Sequence, residues 1–384
     1  MLAGLFCACG RDANPGAVVD GSGTERQARN DEASPFDRAS DGGPPATGTT
    51  TDMAGPAVSD GGPSPSGGSG VRVDGRRLLV AGEPFHIQGV GYNPVGIGGS
   101  HPGDLDYAGF AAIDIPLMAA AGINVVRTYE PLLDRGVLDQ LAAAGIYVIE
   151  SVYPFGGAPV ADVIERVRAV KDHPAVLMWA VGNEWNYNGL YVGLSHDDSL
   201  ARLNEAIALI KAEDASHPVA TIYGELPSAE TLQAMPGVDL WGINAYRGLS
   251  FGALFSDWAL LSDKPMFLGE YGADAYNATL GAYDPESQAL AVGALTRELL
   301  DRSTALSSEG VTLGGAVFEW ADEWWKDTEG ALDAQDIGGV APGGGPYPDQ
   351  TFNEEWWGIV DIRREPRPAY AALREAFEAA RPGP

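Results

Sequence analysis

Short apolar runs that alternate with helical stretches restrict the possible folds of this chain more than any other feature. Eight such runs lie between Phe85 and Glu319, and most are preceded by Gly or Pro, which end helices. Continuously apolar strands linked by helices are typical of parallel sheets covered on both faces. Eight repeats predict an α/β fold of the (β/α)8 TIM-barrel type rather than an open doubly wound sheet. The predicted strands are 85–92, 123–129, 146–152, 176–182, 219–223, 239–244, 266–271 and 314–319, and the predicted helices are 105–121, 131–144, 159–172, 196–215, 227–235, 251–262, 285–308 and 366–381.

Two further segments frame the predicted barrel, which would occupy 71–384. Residues 71–80 have the pattern of a β-hairpin with an Asp74-Gly75 turn, and we expect this hairpin to plug the bottom of the barrel. After strand eight, residues 321–365 show neither helical nor strand periodicity. We therefore expect a long, irregular loop at that position.

The first 70 residues differ in composition from the rest. Residues 1–9 are apolar and resemble the end of a bacterial signal peptide or lipobox, in which Cys9 would carry the lipid anchor. A plain signal or a random apolar start are the alternatives. Residues 10–70 are rich in Gly, Pro, Ser, Thr and Asp, so they cannot bury enough surface to fold and predict a disordered stalk. Together these segments predict a secreted or cell-surface lipoprotein of a bacterium.

Charge and composition exclude several functions. The formal net charge is −29, which disfavours nucleic acid and anionic membrane surfaces as partners. The five histidines form neither HExxH nor HxH, and both cysteines lie in the first nine residues. The sequence therefore predicts no catalytic metal and no cofactor. We expect a monomer.

Carboxylates end two of the predicted strands. In (β/α)8 barrels the active site lies at the C-terminal ends of the strands, so Glu184 after strand four and Glu270 after strand seven are expected to face each other. Retaining glycosidases need two carboxyls about 5–5.5 Å apart, one as nucleophile and one as acid/base. The sequence thus predicts catalysis by this pair.

Neighbouring side chains indicate the two roles. Asn183 precedes Glu184 and can hold a sugar 2-hydroxyl, which favours Glu184 as acid/base. Arg127 and Tyr246 can donate hydrogen bonds to Glu270 and keep it ionised as nucleophile. We expect sugar-binding side chains at further strand ends: Trp320 as a stacking platform, with Asn93, Tyr129, Tyr153 and Trp185.

Several motifs resemble those of known enzymes. Trp179-Ala-Val-Gly-Asn-Glu-Trp185 and Phe267-Leu-Gly-Glu-Tyr-Gly272 are similar to the acid/base and nucleophile motifs of a clan of retaining (β/α)8 glycoside hydrolases. Within that clan, Gly89-Val-Gly-Tyr-Asn-Pro94 and Gly122-Ile-Asn-Val-Val-Arg-Thr-Tyr129 resemble fungal β-1,3-glucanosyltransferases and also the barrel domain of family 2 β-galactosidases and β-glucuronidases. The resemblance implies a retaining β-glycoside hydrolase or transglycosylase.

The substrate and three other functions stay open at this point. The acidic charge favours a neutral oligo- or polysaccharide as the substrate over uronic acids, and a β-glucan, β-1,3-linked by resemblance, is the first choice. A β-galactosidase or β-mannosidase acting from chain ends is the alternative, as is a non-catalytic carbohydrate-binding barrel. An unrelated barrel enzyme that uses phosphate or a metal lacks the expected motifs. Acidic residues within 321–365 leave calcium binding as an alternative to a solvated loop.

Overall fold

A computed structural model describes residues 70–326, 330–337, 341–342 and 345–380. Eight parallel strands close into a barrel in which each strand pairs with the next along the chain and the eighth pairs with the first. The predicted (β/α)8 barrel is thereby confirmed. The strands are β1 (Ile87–Tyr92), β2 (Val125–Thr128), β3 (Tyr147–Tyr153), β4 (Val176–Val181), β5 (Val219–Gly224), β6 (Leu240–Asn244), β7 (Met266–Tyr271) and β8 (Thr312–Val317).

Helices follow every barrel strand and begin where the sequence supplies capping groups. Asp134 accepts hydrogen bonds from the first N–H groups of the second helix, and Ser195 does so for the fourth. Asp284 caps the seventh helix, whose first residue is Pro285. The helices are α1 (Tyr107–Ala120), α2 (Arg135–Ala143), α3 (Asp162–Val170), α4 (His196–Glu213), α5 (Ala229–Ala234), α6 (Leu254–Leu261), α7 (Pro285–Asp301) and α8 (Pro368–Ala379), with a further turn of helix at Trp185–Asn188.

The N-terminal hairpin closes the bottom of the barrel. Its strands Arg72–Asp74 and Arg77–Val80 pair around a two-residue turn of Gly75 and Arg76, one residue later than the expected Asp74-Gly75 turn. Gly75 adopts the positive φ that such turns require. Val71 and Leu78 are buried in the same cluster as the side chains that fill the barrel interior. A three-stranded sheet results, because Glu83–Pro84 pairs with the second strand. The expected plug is therefore present.

The loop after β8 folds back onto the barrel. Arg367 donates two hydrogen bonds to Asp322, at 2.5 and 2.6 Å, and Trp357 is buried against Tyr246. Two short strands, Ala341–Pro342 and Thr351–Phe352, pair within this loop. The loop thus supplies one wall of the barrel mouth.

The expected signal-like residues 1–9 and nearly all of the expected stalk 10–70 lie outside the described residues. Lipidation at Cys9 and export consequently stay predictions. Among the described helices, none has both the length and the apolar character needed to cross a membrane.

Candidate active site

Glu270 reaches the barrel mouth through an irregularity in β7. The register with both neighbouring strands shifts around this residue, and such bulges redirect a side chain. Gly269 makes the approach possible, because a Cβ there would lie 2.6 Å from Asn244 Oδ1 and 2.9 Å from a methyl of Ile222. Glycine next to Glu270 therefore lets strands β5, β6 and β7 bring their polar ends together.

Three donors surround the Glu270 carboxylate. Arg127 Nη1 donates to Oε1 at 2.8 Å, Tyr129 donates to the same oxygen at 3.0 Å, and Tyr246 donates to Oε2 at 2.8 Å. Hydrogen bonds and a paired cation favour the charged form of a carboxyl. The expected contacts of Arg127 and Tyr246 are confirmed, whereas Tyr129 holds the carboxylate rather than stacking on a sugar. This environment suits a nucleophile.

Glu184 is held in the left-handed region, with φ 45° and ψ 33°, at the start of the helical turn Trp185–Asn188. A non-glycine residue adopts this backbone only where the surroundings fix it, at a cost of about 1 kcal/mol or more. Here the Glu184 N–H donates to the Ile222 carbonyl at 3.1 Å, across to β5. The strained turn points the carboxyl at the mouth instead of continuing β4.

The acid/base candidate differs from Glu270 in its partners. Its Oε1 accepts one side-chain hydrogen bond, from Asn244 Nδ2 at 3.1 Å. Burial, followed by the negative charge of Glu270, raises the pKa of Glu184 to about 8. A carboxyl that stays protonated at neutral pH can donate a proton. Glu184 is therefore the carboxyl that can act as proton donor; the separation of about 5–5.5 Å between the carboxyls of Glu184 and Glu270 stays a prediction.

Asn183 connects the two halves of the site. Its Oδ1 accepts from Arg127 Nη2 at 2.6 Å and from Asn244 at 3.2 Å, while its Nδ2 donates to the Tyr191 hydroxyl at 2.9 Å. The sequence indicated no role for Asn244, although this residue ends β6 two residues before Tyr246. The signal was its place at the C-terminal end of a barrel strand, where the other site residues lie.

The raised pKa of Glu184 predicts a pH-dependent stability difference. Below pH 4.5 the carboxyl is protonated in both states, and between 4.5 and about 8 only the unfolded state ionises, which destabilises the fold as pH rises. Glu184→Gln removes this titration. We expect the melting temperature of the variant minus that of the wild type to increase from pH 5 to pH 8. The exposed Glu205→Gln on α4 is the control, and an equal difference at both pH values would contradict the raised pKa.

Three aromatic residues expected to line the mouth do not do so. Trp320 and Trp185 are each 1% exposed, and Tyr153 is fully buried. Trp320 packs against Tyr370 of α8, and Trp185 packs against Tyr223. The prediction that these three side chains contact sugar is wrong, because each turns away from the mouth into the layer between barrel and helices.

A polar group that we call the loop-eight cluster lies beside the site: Asn93, Glu323, Lys326 and Glu354. Lys326 pairs with Glu323 at 3.2 Å and with Glu354 at 3.3 Å, and Asn93 donates to Glu323 at 2.8 Å. Burial raises the pKa of Glu354, and the charge of Glu270 raises it further. Asn93 is thus placed near the site as expected. Glu323 was expected as one of the acidic residues that could bind calcium, and Lys326 and Glu354 were missed, because no pattern indicates how the long loop folds.

In the part of the chain that the structure describes, no three His, Cys, Asp or Glu residues are arranged to hold a metal ion.

Comparison with known proteins agrees with this geometry. Residues 155–291, which include both carboxylates, match the model of the glycosyl hydrolases family 2 TIM barrel domain. The β-glucuronidase of Felis catus is 28% identical over 257 residues, covering 59% of this chain and 36% of the cat enzyme. The β-glucuronidase of Rattus norvegicus is 29% identical over 247 residues, covering 57% of this chain and 36% of the rat enzyme. The chain thus spans about a third of the length of these relatives.

Solved structures support the fold. A β-galacturonidase from Eisenbergiella tayi bound to galacturonate superimposes with a TM-score of 0.56 at 19% identity, covering 80% of this chain and 54% of the other. A Bacteroides uniformis β-glucuronidase superimposes with a TM-score of 0.59 at 18% identity, covering 80% of this chain and 37% of the other. Of the two resemblances, the comparisons support family 2, and that to β-1,3-glucanosyltransferases rests on motifs alone. The chain therefore contains a barrel similar to the TIM barrel domain of the family 2 glycosyl hydrolases, and the comparisons support a glycosidase.

Proposed function

We propose that this protein is a retaining β-glycoside hydrolase or transglycosylase that works by double displacement. The observation that carries the proposal is the asymmetry between the carboxyls. Glu270 accepts hydrogen bonds from Arg127, Tyr129 and Tyr246, while burial raises the pKa of Glu184 to about 8. One carboxyl is thus prepared to attack and the other to donate a proton.

The reaction follows from these two roles of Glu270 and Glu184. Glu270 attacks the anomeric carbon, the glycosidic C–O bond breaks, and Glu184 gives its proton to the leaving oxygen. The resulting glycosyl ester on Glu270 is opened by water or by a second sugar, whose proton returns to Glu184. Net retention of the β-configuration follows from two inversions. Tyr129, Tyr246 and Arg127 stabilise the carboxylate that is released.

A neutral sugar fits the charges around the site. Each described cation near the carboxylates has an acidic partner: Arg127 pairs with Glu270, Lys326 pairs with Glu323 and Glu354, and Arg247 pairs with Glu225. A substrate carboxylate would have to compete with these pairs, in a chain of net charge −29. We therefore favour a neutral β-glucan or oligosaccharide, with β-galactosides or β-mannosides next.

A second candidate is a β-glucuronide. It is favoured by the names of the relatives, which are β-glucuronidases and a β-galacturonidase. The comparisons cover about a third of the curated relatives' length, so their substrate remains a candidate here. Lys326 is the cation that would reach a uronate, provided that it exchanged one acidic partner for the substrate.

Matched aryl glycosides distinguish the candidates. We expect the kcat/KM for the 4-nitrophenyl β-glucoside, β-galactoside or β-mannoside to exceed that for the β-glucuronide by about tenfold or more, since an unpaired ionic contact costs about 1.4 kcal/mol or more. Activity confined to the β-glucuronide would overturn the neutral substrate. No turnover of any of them or of β-1,3-gluco-oligosaccharides would favour a non-catalytic carbohydrate-binding barrel. A first-formed product with the α-configuration, seen by proton NMR, would contradict the retaining mechanism.

A further inference from the structure

Tyr187 is an exposed aromatic side chain beside the acid/base. It lies on the loop after β4, three residues beyond Glu184, and is 48% exposed. Its N–H donates to the Glu184 carbonyl at 2.8 Å, so the same helical turn carries both side chains. With Trp185 and Trp320 buried, Tyr187 is the residue next to Glu184 that offers a ring face to solvent.

Glycine on β5 fixes the position of the ring. A Cβ at Gly224 would lie 2.1 Å from Tyr187 Cε2 and 2.6 Å from Cδ2, so the ring rests directly on the Gly224 backbone. Asn186 holds the two segments together, because its Nδ2 donates to the Gly224 carbonyl and its Oδ1 accepts from the Gly224 N–H, both at 2.9 Å. A ring held in this way loses little conformational freedom when a ligand binds.

Hydrogen-bonding groups lie next to the ring. Partial burial, followed by the charges of Glu184 and Glu225, raises the pKa of Tyr187 to about 12, so both carboxyls act electrostatically on its hydroxyl. Arg247 Nε donates to Glu225 Oε1 at 3.1 Å, and this pair is partly exposed, at 30% and 39%. An apolar ring face beside an exposed ion pair matches a sugar, which has an apolar C–H face and an edge of hydroxyls.

We propose that Tyr187 and the Glu225–Arg247 pair bind the sugar on the leaving-group side of the scissile bond. This inference rests on the proposed function, because it takes Glu184 as the group that protonates the glycosidic oxygen. The sugar that departs with that oxygen must lie beside Glu184, on the side away from Glu270. Tyr187 stacks on its face, and the ion pair binds its hydroxyls; in transglycosylation the acceptor occupies the same place.

Two substrates that differ only in the leaving group test this assignment. Laminaribiose places a glucose against Tyr187, whereas β-glucosyl fluoride places none there. For Tyr187→Ala we expect the loss of kcat/KM to be about tenfold greater for laminaribiose than for the fluoride. Tyr187→Phe keeps the ring, so its ratio of kcat/KM for laminaribiose to kcat/KM for the fluoride should stay close to that of the wild type. Gly224→Ala displaces the ring and should act as Tyr187→Ala does, while Leu260→Ala, on the exposed face of α6, should change neither substrate.

Melting temperatures show whether each variant is folded. Partial unfolding lowers kcat/KM for both substrates by the same factor, so the ratio of the loss for laminaribiose to the loss for the fluoride is unaffected. Equal losses for both substrates in Tyr187→Ala and Gly224→Ala would overturn the assignment while leaving the proposed glycosidase intact. A wild-type protein that hydrolyses neither substrate would remove the proposed function on glucosides, and this inference with it. A greater loss for laminaribiose in both variants supports the leaving-group site.

Discussion

Glu270→Gln is expected to lower kcat/KM for aryl β-glycosides by on the order of 10⁴-fold or more, because the amide cannot form the glycosyl ester. The substitution keeps the size of the side chain and leaves the hydroxyls of Tyr129 and Tyr246 in reach of it. Steady-state kinetics on the best substrate of the aryl panel measure the loss. A 2-deoxy-2-fluoro glycoside, which slows release of the intermediate, should esterify the peptide that contains Glu270, as read by mass spectrometry.

The matched control is Glu150→Gln. Glu150 is fully buried within β3, and burial raises the pKa of its carboxyl well above the ordinary value. The change to glutamine keeps the size of the side chain, as it does in Glu270→Gln. Its Oε1 accepts from the Leu132 N–H at 2.7 Å, away from Glu270. The control should retain activity. A Glu270→Gln variant with more than about a tenth of wild-type activity, or a label on another residue, would contradict the assignment of the nucleophile.

Glu184→Gln should produce a loss that depends on the leaving group. Alkyl β-glycosides need a proton on the departing oxygen, so their kcat/KM should fall by about 10²- to 10⁴-fold. Dinitrophenyl glycosides leave as stable anions without a proton, and their kcat/KM should fall far less. Equal losses for both leaving groups would show that Glu184 is not the proton donor.

The pH profile gives a second measurement of the same role. With a pKa of about 8, Glu184 is protonated below that pH, and the wild-type kcat/KM should decline as pH rises through it. The decline should be absent in Glu184→Gln when dinitrophenyl glycosides are used. An unchanged alkaline limb in the variant would assign that ionisation to another group.

The fold could be predicted from the sequence because barrel strands carry a strong local signal. Continuous apolar runs bounded by Gly and Pro located all eight strands; β7, at 266–271, agrees at both ends. The predicted helix starts agree where a capping side chain is present, as after Ser195 and Asp284, whereas the helix after Asp284 ends at Asp301 and not at the predicted residue 308. These signals are local, and parallel pairing with helical connections leaves few topologies to choose from.

The sequence by itself also determined the position of Glu184 and Glu270, since a residue at the C-terminal end of a barrel strand must lie at the mouth. What it did not determine was the direction of each side chain beyond the strand end. Trp320 and Trp185 turned into the layer under the helices, while Tyr187 stayed exposed. The left-handed turn at Glu184 sets the directions of Trp185 and Tyr187, and the register shift before Glu270 sets that of the Glu270 carboxylate. Both depend on contacts between strands distant in sequence, such as Gly269 against Asn244, and only the tertiary structure contains those contacts.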